Sequence, residues 1–145
     1  MQPNNVYNAH ILLSKREALV YQKWCAKNGI SYTLLQILDL LYQYPDGAHA
    51  TFICETMFVY KQTLTGLLRR LEKEGLAKCG KDARDGRKKR IMLTQKGRSY
   101  TETVLRALYQ KEEKVYRSFA AEEIMHLNQT YEKLVDRLAG ELAGE

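Results

Sequence analysis

The stretch that decides the fold is KQTLTGLLRRLEKEGLAKCGKDARDGRKKRIMLTQKGR, residues 61–98. It holds 13 Lys and Arg residues against 4 Asp and Glu residues, a net charge of +9, while the other 107 residues carry −3. Ordinary protein surfaces intersperse both signs of charge, so a solvated face with incidental charge explains this segment poorly. The concentration of positive charge therefore predicts contact with a nucleic-acid backbone.

The first part of this segment has the periodicity of an amphipathic helix. At about 100° per residue, four leucines share one stripe: Leu64, Leu67, Leu68 and Leu71. Polar and small residues fall on the opposite side: Gln62, Gly66, Arg69 and Lys73. One face is thus predicted to enter the core while the other stays free. Gly75 ends the helix, because glycine adopts the left-handed conformation with little strain.

From Leu76 onward the period changes from helical to alternating. We predict short strands over residues 76–81 and 90–94, where Ile91 and Leu93 alternate with other residues. Asp85-Gly86, between the two strands, is a strong hairpin signal. The turn places four basic residues on or near an exposed tip: Arg84, Arg87, Lys88 and Lys89.

The rest of the chain is predicted to be helical. A helix over residues 11–27 stops at Asn28-Gly29, and a second helix, capped by Ser31 or Thr33, stops at Pro45-Asp46-Gly47. Further helices are predicted over residues 50–57, 61–74, 95–117 and 122–142. The last one carries a seam for another helix: Ile124, Leu127, Tyr131, Leu134 and Leu138. This order predicts a mainly α winged helix-turn-helix fold with a small β-hairpin wing.

Composition and motifs argue against several other classes of protein. No apolar run approaches the roughly 20 residues of a membrane span, and the N-terminus lacks a signal-peptide core, so we expect a cytoplasmic protein without a membrane partner. His10, His49 and His126 lack ligand spacing, so no metal site is predicted, although a site assembled between distant helices stays open. No catalytic constellation or Gly-rich phosphate loop is present. We therefore predict neither an enzyme nor a bound cofactor.

Two residue types leave alternatives open. Cys54 is predicted to be buried and unreactive, whereas Cys25 lies between Lys23 and Lys27, which favours a thiolate and allows redox sensing. Four tyrosines are candidates either for an aromatic ligand pocket or for ordinary packing: Tyr21, Tyr32, Tyr42 and Tyr44.

Four short motifs in succession resemble those of the MarR-type transcriptional regulators. They are KQTLT at residues 61–65, LEKEGL at 71–76, DARDGR at 82–87 and LTQKG at 93–97. The resemblance covers nearly the whole chain, because the long flanking helices also occur in the right order. The sequence departs from the common family pattern at Phe58, Tyr60 and Gly66.

The resemblance implies a homodimer in which residues 1–30 and 95–145 form the dimerisation helices. Residues 31–94 would form the winged helix-turn-helix module, and two such modules would read a pseudo-palindromic operator in double-stranded DNA. Members of the family are mostly repressors, released by a small-molecule effector, a metal or oxidation. The resemblance places the recognition helix at residues 61–73, wing arginines at Arg84 and Arg87, and a wing-bracing carboxylate at Asp82.

A recognition helix enters the major groove by its N-terminal half. This predicts contacts with base edges or flanking phosphates from Lys61, Gln62, Thr63 and Thr65. Arg69 and Arg70 lie a turn or more later, where phosphate contacts are expected. The predicted wing contacts are Arg84, Arg87 and Lys88, with Arg87 suited to a narrow minor groove and Asp82 or Asp85 pairing with a wing arginine. An alternative is a winged-helix interaction module whose basic face binds RNA or an acidic protein.

Overall fold

The computed structural model describes residues 5–82 and 89–144, and this part of the chain contains six helices and three short strands. In chain order they are α1 (Asn5–Lys27), α2 (Tyr32–Gln43), β1 (Ala48–His49), α3 (Ala50–Met57), α4 (Lys61–Lys73), β2 (Ala77–Lys81), β3 (Lys89–Leu93), α5 (Gln95–Tyr116) and α6 (Ala121–Leu142). The predicted mainly α winged helix-turn-helix fold is confirmed. The predicted hairpin tip, with Asp85-Gly86 at its turn, lies outside the described residues.

The chain divides into two compact units, Met1–Thr103 and Val104–Glu145, and the boundary falls within α5. The first unit contains α1 to α4, the sheet and the beginning of α5. The second contains the remainder of α5 and α6. Among the described residues, no helix combines the length and apolar character that crossing a membrane requires.

Helix α2 supplies much of the core of the first unit. The Ser31 hydroxyl oxygen accepts a hydrogen bond from the Leu34 amide at 3.2 Å, so Ser31 and not Thr33 caps this helix. Beyond the cap, apolar residues recur around most of the helix, which therefore requires cover on more than one side. Its buried residues are Leu34, Leu35, Ile37, Leu38, Leu40 and Leu41.

The three strands form an antiparallel sheet in the order β1-β3-β2. Ala77 pairs with Leu93 at one end of the β2–β3 hairpin, and β1 pairs with the outer edge of β3. Ile91 and Leu93 are buried, as their alternation predicts. Strand β1 was not predicted, because a two-residue strand is too short to show any period.

Most predicted element boundaries lie within one residue of those observed. The exception is α1, which begins at Asn5 and not at residue 11. No proline or glycine follows Pro3 before Gly29, so nothing in the chain stops the helix from extending toward the N-terminus.

A compact junction joins the end of α4 to the start of α5. The Thr94 hydroxyl donates to the Gly75 carbonyl oxygen at 2.6 Å and accepts from the Gly97 amide at 3.0 Å. The Lys96 ammonium group donates to the Glu74 carbonyl oxygen at 2.7 Å. Gly97 lies so close to Leu76 that a Cβ atom added at position 97 would overlap the Leu76 carbonyl oxygen.

We expect Gly97→Ala to destabilise the fold, because the new methyl group would meet backbone, which cannot rotate away. The expected loss in the free energy of unfolding is about 3 kcal/mol or more, measured by urea denaturation. Gly140→Ala on α6 is the matched control, since an added Cβ there meets nothing within 4 Å. Equal stability of the two variants would contradict this assignment of the junction.

Candidate nucleic-acid interface

Helix α4 has one buried face and one exposed face, as its leucine stripe predicts. Leu64 and Leu71 are buried, while Leu67 and Leu68 are half-buried. The polar residues opposite them are all exposed: Gln62, Gly66, Arg69 and Lys73. The helix is therefore held by its leucines while its polar face meets solvent.

The exposed face of α4 includes a shallow concave surface that is largely open to solvent. A depression of about 410 Å³ is lined by Lys61, Gln62, Thr65, Gly66 and Arg69. Gly66 lies within this lining, and a Cβ added there meets nothing within 4 Å. The structure thus brings four of the predicted contact residues together around a site where the backbone itself is accessible.

The two threonines predicted to contact DNA differ in their surroundings. The Thr65 hydroxyl donates to the Lys61 carbonyl oxygen one turn earlier at 2.8 Å, which leaves its methyl group and an oxygen lone pair available. Thr63 is exposed, but it does not line the concave surface.

Arg70 is turned toward the C-terminal end of α4. Its Nε donates to the Glu74 carboxylate at 2.9 Å, and this hydrogen bond, with the charge of Glu74, raises the pKa of the guanidinium. Arg69 has no ion-pair partner among the described residues, so the two adjacent arginines present different electrostatic surfaces. A phosphate contact by Arg70 would share its guanidinium with Glu74.

The beginning of α4 breaks two local rules of helix-turn-helix structure. Phe58, the residue after α3, adopts a left-handed conformation with φ of 51°, which is uncommon for a residue with a bulky side chain. Tyr60 is the N-cap of α4, and its side chain makes no capping hydrogen bond. Phe58 is 94% exposed and Tyr60 is 86% exposed. Both aromatic rings therefore lie in solvent beside the first turn of the helix.

The described part of the wing is its base. Lys81 and Lys89 lie directly opposite one another at the last described pair of the β2–β3 hairpin. Directly opposed like charges destabilise an antiparallel pair, so this position favours a nearby anion. Four predicted wing residues lie outside the described residues: Arg84, Asp85, Arg87 and Lys88.

Asp82 is 8% exposed, and the described residues that contact it include Arg90 on β3 and His49 on β1. Its Oδ2 atom accepts from Arg90 Nε at 2.9 Å and lies 2.9 Å from His49 Nε2. Arg90 also donates to the backbone carbonyl oxygens of Asp46 and Gly47, at 3.3 Å and 3.1 Å. Asp82 thus connects the base of the wing to β1 and to the turn before it.

His49 contributes to this network with both ring nitrogens. Nε2 faces the Asp82 carboxylate, and Nδ1 lies 3.2 Å from the Lys89 carbonyl oxygen. A neutral imidazole can donate to one of these acceptors, whereas an imidazolium can donate to both. His49 and Arg90 were not predicted as site residues, because their contacts depend on the pairing of β1 with β3.

Cys25 and Cys54 differ in their burial. Cys25 is fully buried, and burial raises the pKa of its thiol, which disfavours the thiolate that redox sensing requires. Cys54 is half-buried, so the prediction that it is buried was wrong.

The four tyrosines considered for a ligand pocket make ring contacts within the protein. Tyr21 stacks on Tyr32, Tyr44 meets Phe52 edge-on, and Arg98 lies over Tyr42.

Within residues 5–82 and 89–144, no group of three or more His, Cys, Asp or Glu side chains is arranged to hold a metal ion.

We expect Arg90→Ala to lower the free energy of unfolding by about 2 kcal/mol, because it removes a charged donor from a nearly buried carboxylate and from two backbone carbonyl oxygens. Arg117→Ala is the matched control, since it removes only the exposed pair with Glu113 and is expected to cost less than about 0.5 kcal/mol. Urea denaturation of both variants is the measurement. A cost for Arg90→Ala as small as that of the control would contradict a bracing role for this network.

Comparison with known proteins agrees with this geometry. Residues 28–88 match the model of the MarR family. A MarR family regulator from Neisseria meningitidis has a similar structure, with a TM-score of 0.79 at 20% sequence identity over 97% of this chain and 98% of that one. AbsC, a MarR family transcriptional regulator from Streptomyces coelicolor, matches with a TM-score of 0.77 at 17% identity over 93% of both chains.

A structure of MepR from Staphylococcus aureus in complex with DNA matches with a TM-score of 0.73, at 22% identity over 94% of this chain and 99% of that chain. A search of curated protein sequences gave no match. The match of residues 28–88 to the MarR family model agrees with the structural matches, which show that this chain shares the winged helix-turn-helix fold of these MarR family proteins.

Proposed function

We propose that the protein is a repressor that binds a pseudo-palindromic operator in double-stranded DNA as a homodimer. Residues 31–94 form the DNA-binding module, and residues 1–30 and 95–145 provide the dimerisation helices. The observation that carries this proposal is the exposed face of α4, where cationic and hydrogen-bonding side chains surround an accessible stretch of backbone. A major groove of B-DNA is wide enough to admit such a helix.

Individual residues of the module have distinct proposed roles. Gln62 has the amide geometry that reads adenine bidentately, a contact worth about 1–3 kcal/mol of discrimination. Lys61, Thr63 and Thr65 contact base edges or flanking phosphates, while Arg69 and Arg70 contact phosphates, which position the protein without reading sequence. At the wing, Arg84, Arg87 and Lys88 contact DNA, and Asp82 and Asp85 brace the wing.

The base of the wing supports the same partner. Lys81 and Lys89 repel one another across the hairpin, and a phosphate between or beside them would relieve that repulsion. The repulsion is a property of the free protein, so an approaching polyanion gains more from this pair than from two separated lysines. The wing is therefore suited to a DNA backbone beside the groove that α4 occupies.

Exposed apolar side chains on the terminal helices support a dimer. Within the described residues, α6 has no buried side chain, although six large apolar residues project from it: Met125, Leu127, Tyr131, Val135, Leu138 and Leu142. On α1, five more are exposed: Ile11, Leu12, Leu13, Leu19 and Val20. Apolar surface of this extent requires cover in water, and a second copy of the chain supplies it.

A repressor also needs a signal that releases it from DNA. We propose a cytoplasmic signal of the kinds the family uses: a small-molecule effector, a metal or an oxidant. The buried thiol of Cys25, with its raised pKa, makes that cysteine a poor oxidant sensor.

The experiment that tests the function is selection of bound duplexes from genomic DNA at low salt. We expect a pseudo-palindrome whose half-site centres are about 10 base pairs apart, since a dimer reads two half-sites one helical turn apart. Failure to retain any duplex, with retention of RNA under the same conditions, would contradict the proposal and favour the alternative of an RNA-binding module.

We expect the double substitution Arg87→Ala and Lys88→Ala to weaken binding to the selected duplex and to flatten its dependence on salt. Each lost phosphate contact should reduce the slope of log affinity against log salt by about 0.9. Fluorescence anisotropy over a salt series measures both quantities. The control, Lys23→Ala with Lys27→Ala on α1, removes the same charge outside the basic segment and should leave the slope unchanged. Equal slopes for both double variants would contradict the wing assignment.

We expect Gly66→Ala to stabilise the protein and weaken its binding to DNA. Alanine is favoured over glycine in an exposed helix interior by about 1 kcal/mol, and the added Cβ meets nothing in the free protein. In the complex, the added methyl group would occupy the space where the backbone of α4 comes close to the DNA. We expect this clash to weaken binding by about 1–3 kcal/mol. Urea denaturation measures the free energy of unfolding, and fluorescence anisotropy measures the affinity for DNA. A variant that gains stability without losing affinity would show that the backbone at Gly66 does not approach the DNA.

A further inference from the structure

Both the backbone conformation and the exposure of Phe58 are unfavourable for a phenylalanine. A left-handed backbone at φ of 51° suits glycine or asparagine, and is strained for a residue as bulky as phenylalanine. The ring gains nothing from the fold in return, because the residue is 94% exposed. Neither local conformation nor packing in the free protein explains why this residue is phenylalanine.

Tyr60, two residues later, is also a residue type that its position in the fold does not favour. An N-cap residue such as serine or aspartate would accept a hydrogen bond from a first-turn amide, and tyrosine makes none. The ring of Tyr60 is also in solvent, with the residue 86% exposed. Two aromatic rings thus flank the start of α4 without stabilising it.

The surroundings of these rings indicate what covers them. Tyr60 is followed directly by Lys61 and Gln62, which line the concave surface of α4. Arg69 lies on the same surface. An apolar protein partner would have to bury these cationic groups as well, whereas a polyanion pairs with them. Charge complementarity therefore favours duplex DNA as the occupant.

We propose that Phe58 and Tyr60 are specificity-determining DNA contacts, in which the Phe58 ring packs on the C5-methyl group of a thymine in the major groove. The inference rests on the proposed DNA-binding function and deepens it. Apolar side chains, phenylalanine among them, distinguish thymine by contact with this methyl group. The Tyr60 hydroxyl donates to a neighbouring phosphate oxygen, as tyrosine does in protein–DNA interfaces. The exposed apolar ring supplies sequence information that a cationic side chain on a phosphate does not.

Replacement of thymine by uracil in the selected duplex tests the contact, since it removes the methyl group and keeps the pairing edge. For the unmodified protein we expect a loss of about fourfold in affinity for each contacted methyl, corresponding to about 0.8 kcal/mol of apolar burial. Phe58→Asn should bind the thymine duplex more weakly and should not distinguish it from the uracil duplex. Asparagine tolerates the left-handed conformation, so this variant should be no less stable than the parent.

Phe52→Ala is the matched control, because Phe52 is an aromatic residue on α3 whose ring meets Tyr44. It should retain the full preference for thymine over uracil. Tyr60→Phe should weaken binding to both duplexes equally, since it removes the hydroxyl and keeps the ring.

Three outcomes would overturn the inference. Equal affinity of the unmodified protein for both duplexes would exclude the methyl contact, and so would an unchanged preference in Phe58→Asn. A change in the oligomeric state of the free Phe58→Asn protein, measured by sedimentation, would assign the ring to contact between copies of the chain. Absence of binding to any duplex at low salt would instead overturn the proposed function itself.

Discussion

The close approach of Gly97 to the Leu76 carbonyl is the contact that fixes the end of α4 against the start of α5. Three successive residues directly after α4, Glu74, Gly75 and Leu76, each present a carbonyl oxygen that accepts a hydrogen bond from Thr94 or Lys96. The donors are the amide and hydroxyl of Thr94 and the ammonium group of Lys96, so the end of α4 and the start of α5 are fixed as one piece.

A second set of contacts holds the wing. It consists of charged hydrogen bonds, whereas the contact between Gly97 and Leu76 depends on steric fit. Arg90 donates to two backbone carbonyl oxygens in the turn before β1 and to the Asp82 carboxylate. His49 approaches the same carboxylate from β1. Because Asp82 is nearly buried, these donors help to stabilise its charge. The module thus has a fixed base beneath both elements proposed to contact DNA.

Local periodicity explains which parts of this structure were predictable from sequence. The leucine stripe of α4, the stop at Gly75 and the alternation of Ile91 with Leu93 each depend on neighbours a few residues away, and all three are observed. Strand β1 and the contacts of His49 and Arg90 depend on pairing between segments about 40 residues apart, which periodicity does not encode. Cys54 shows the same limit within one helix. The sequence pattern placed Cys54 on an apolar face, whereas the degree of its burial depends on packing between helices.

Helix α4 obeys local rules in its second half and breaks them in its first. Toward its C-terminus, Arg70 pairs with Glu74, and Gly75 takes the left-handed conformation that glycine accommodates. Toward its N-terminus, Phe58 is strained, Tyr60 does not cap, and Gly66 weakens the helix interior. Sequences usually agree with their fold at every level except where function requires otherwise. The three exceptions lie at the end of α4 that we propose enters the major groove, and contacts made only on DNA would account for the stability they sacrifice.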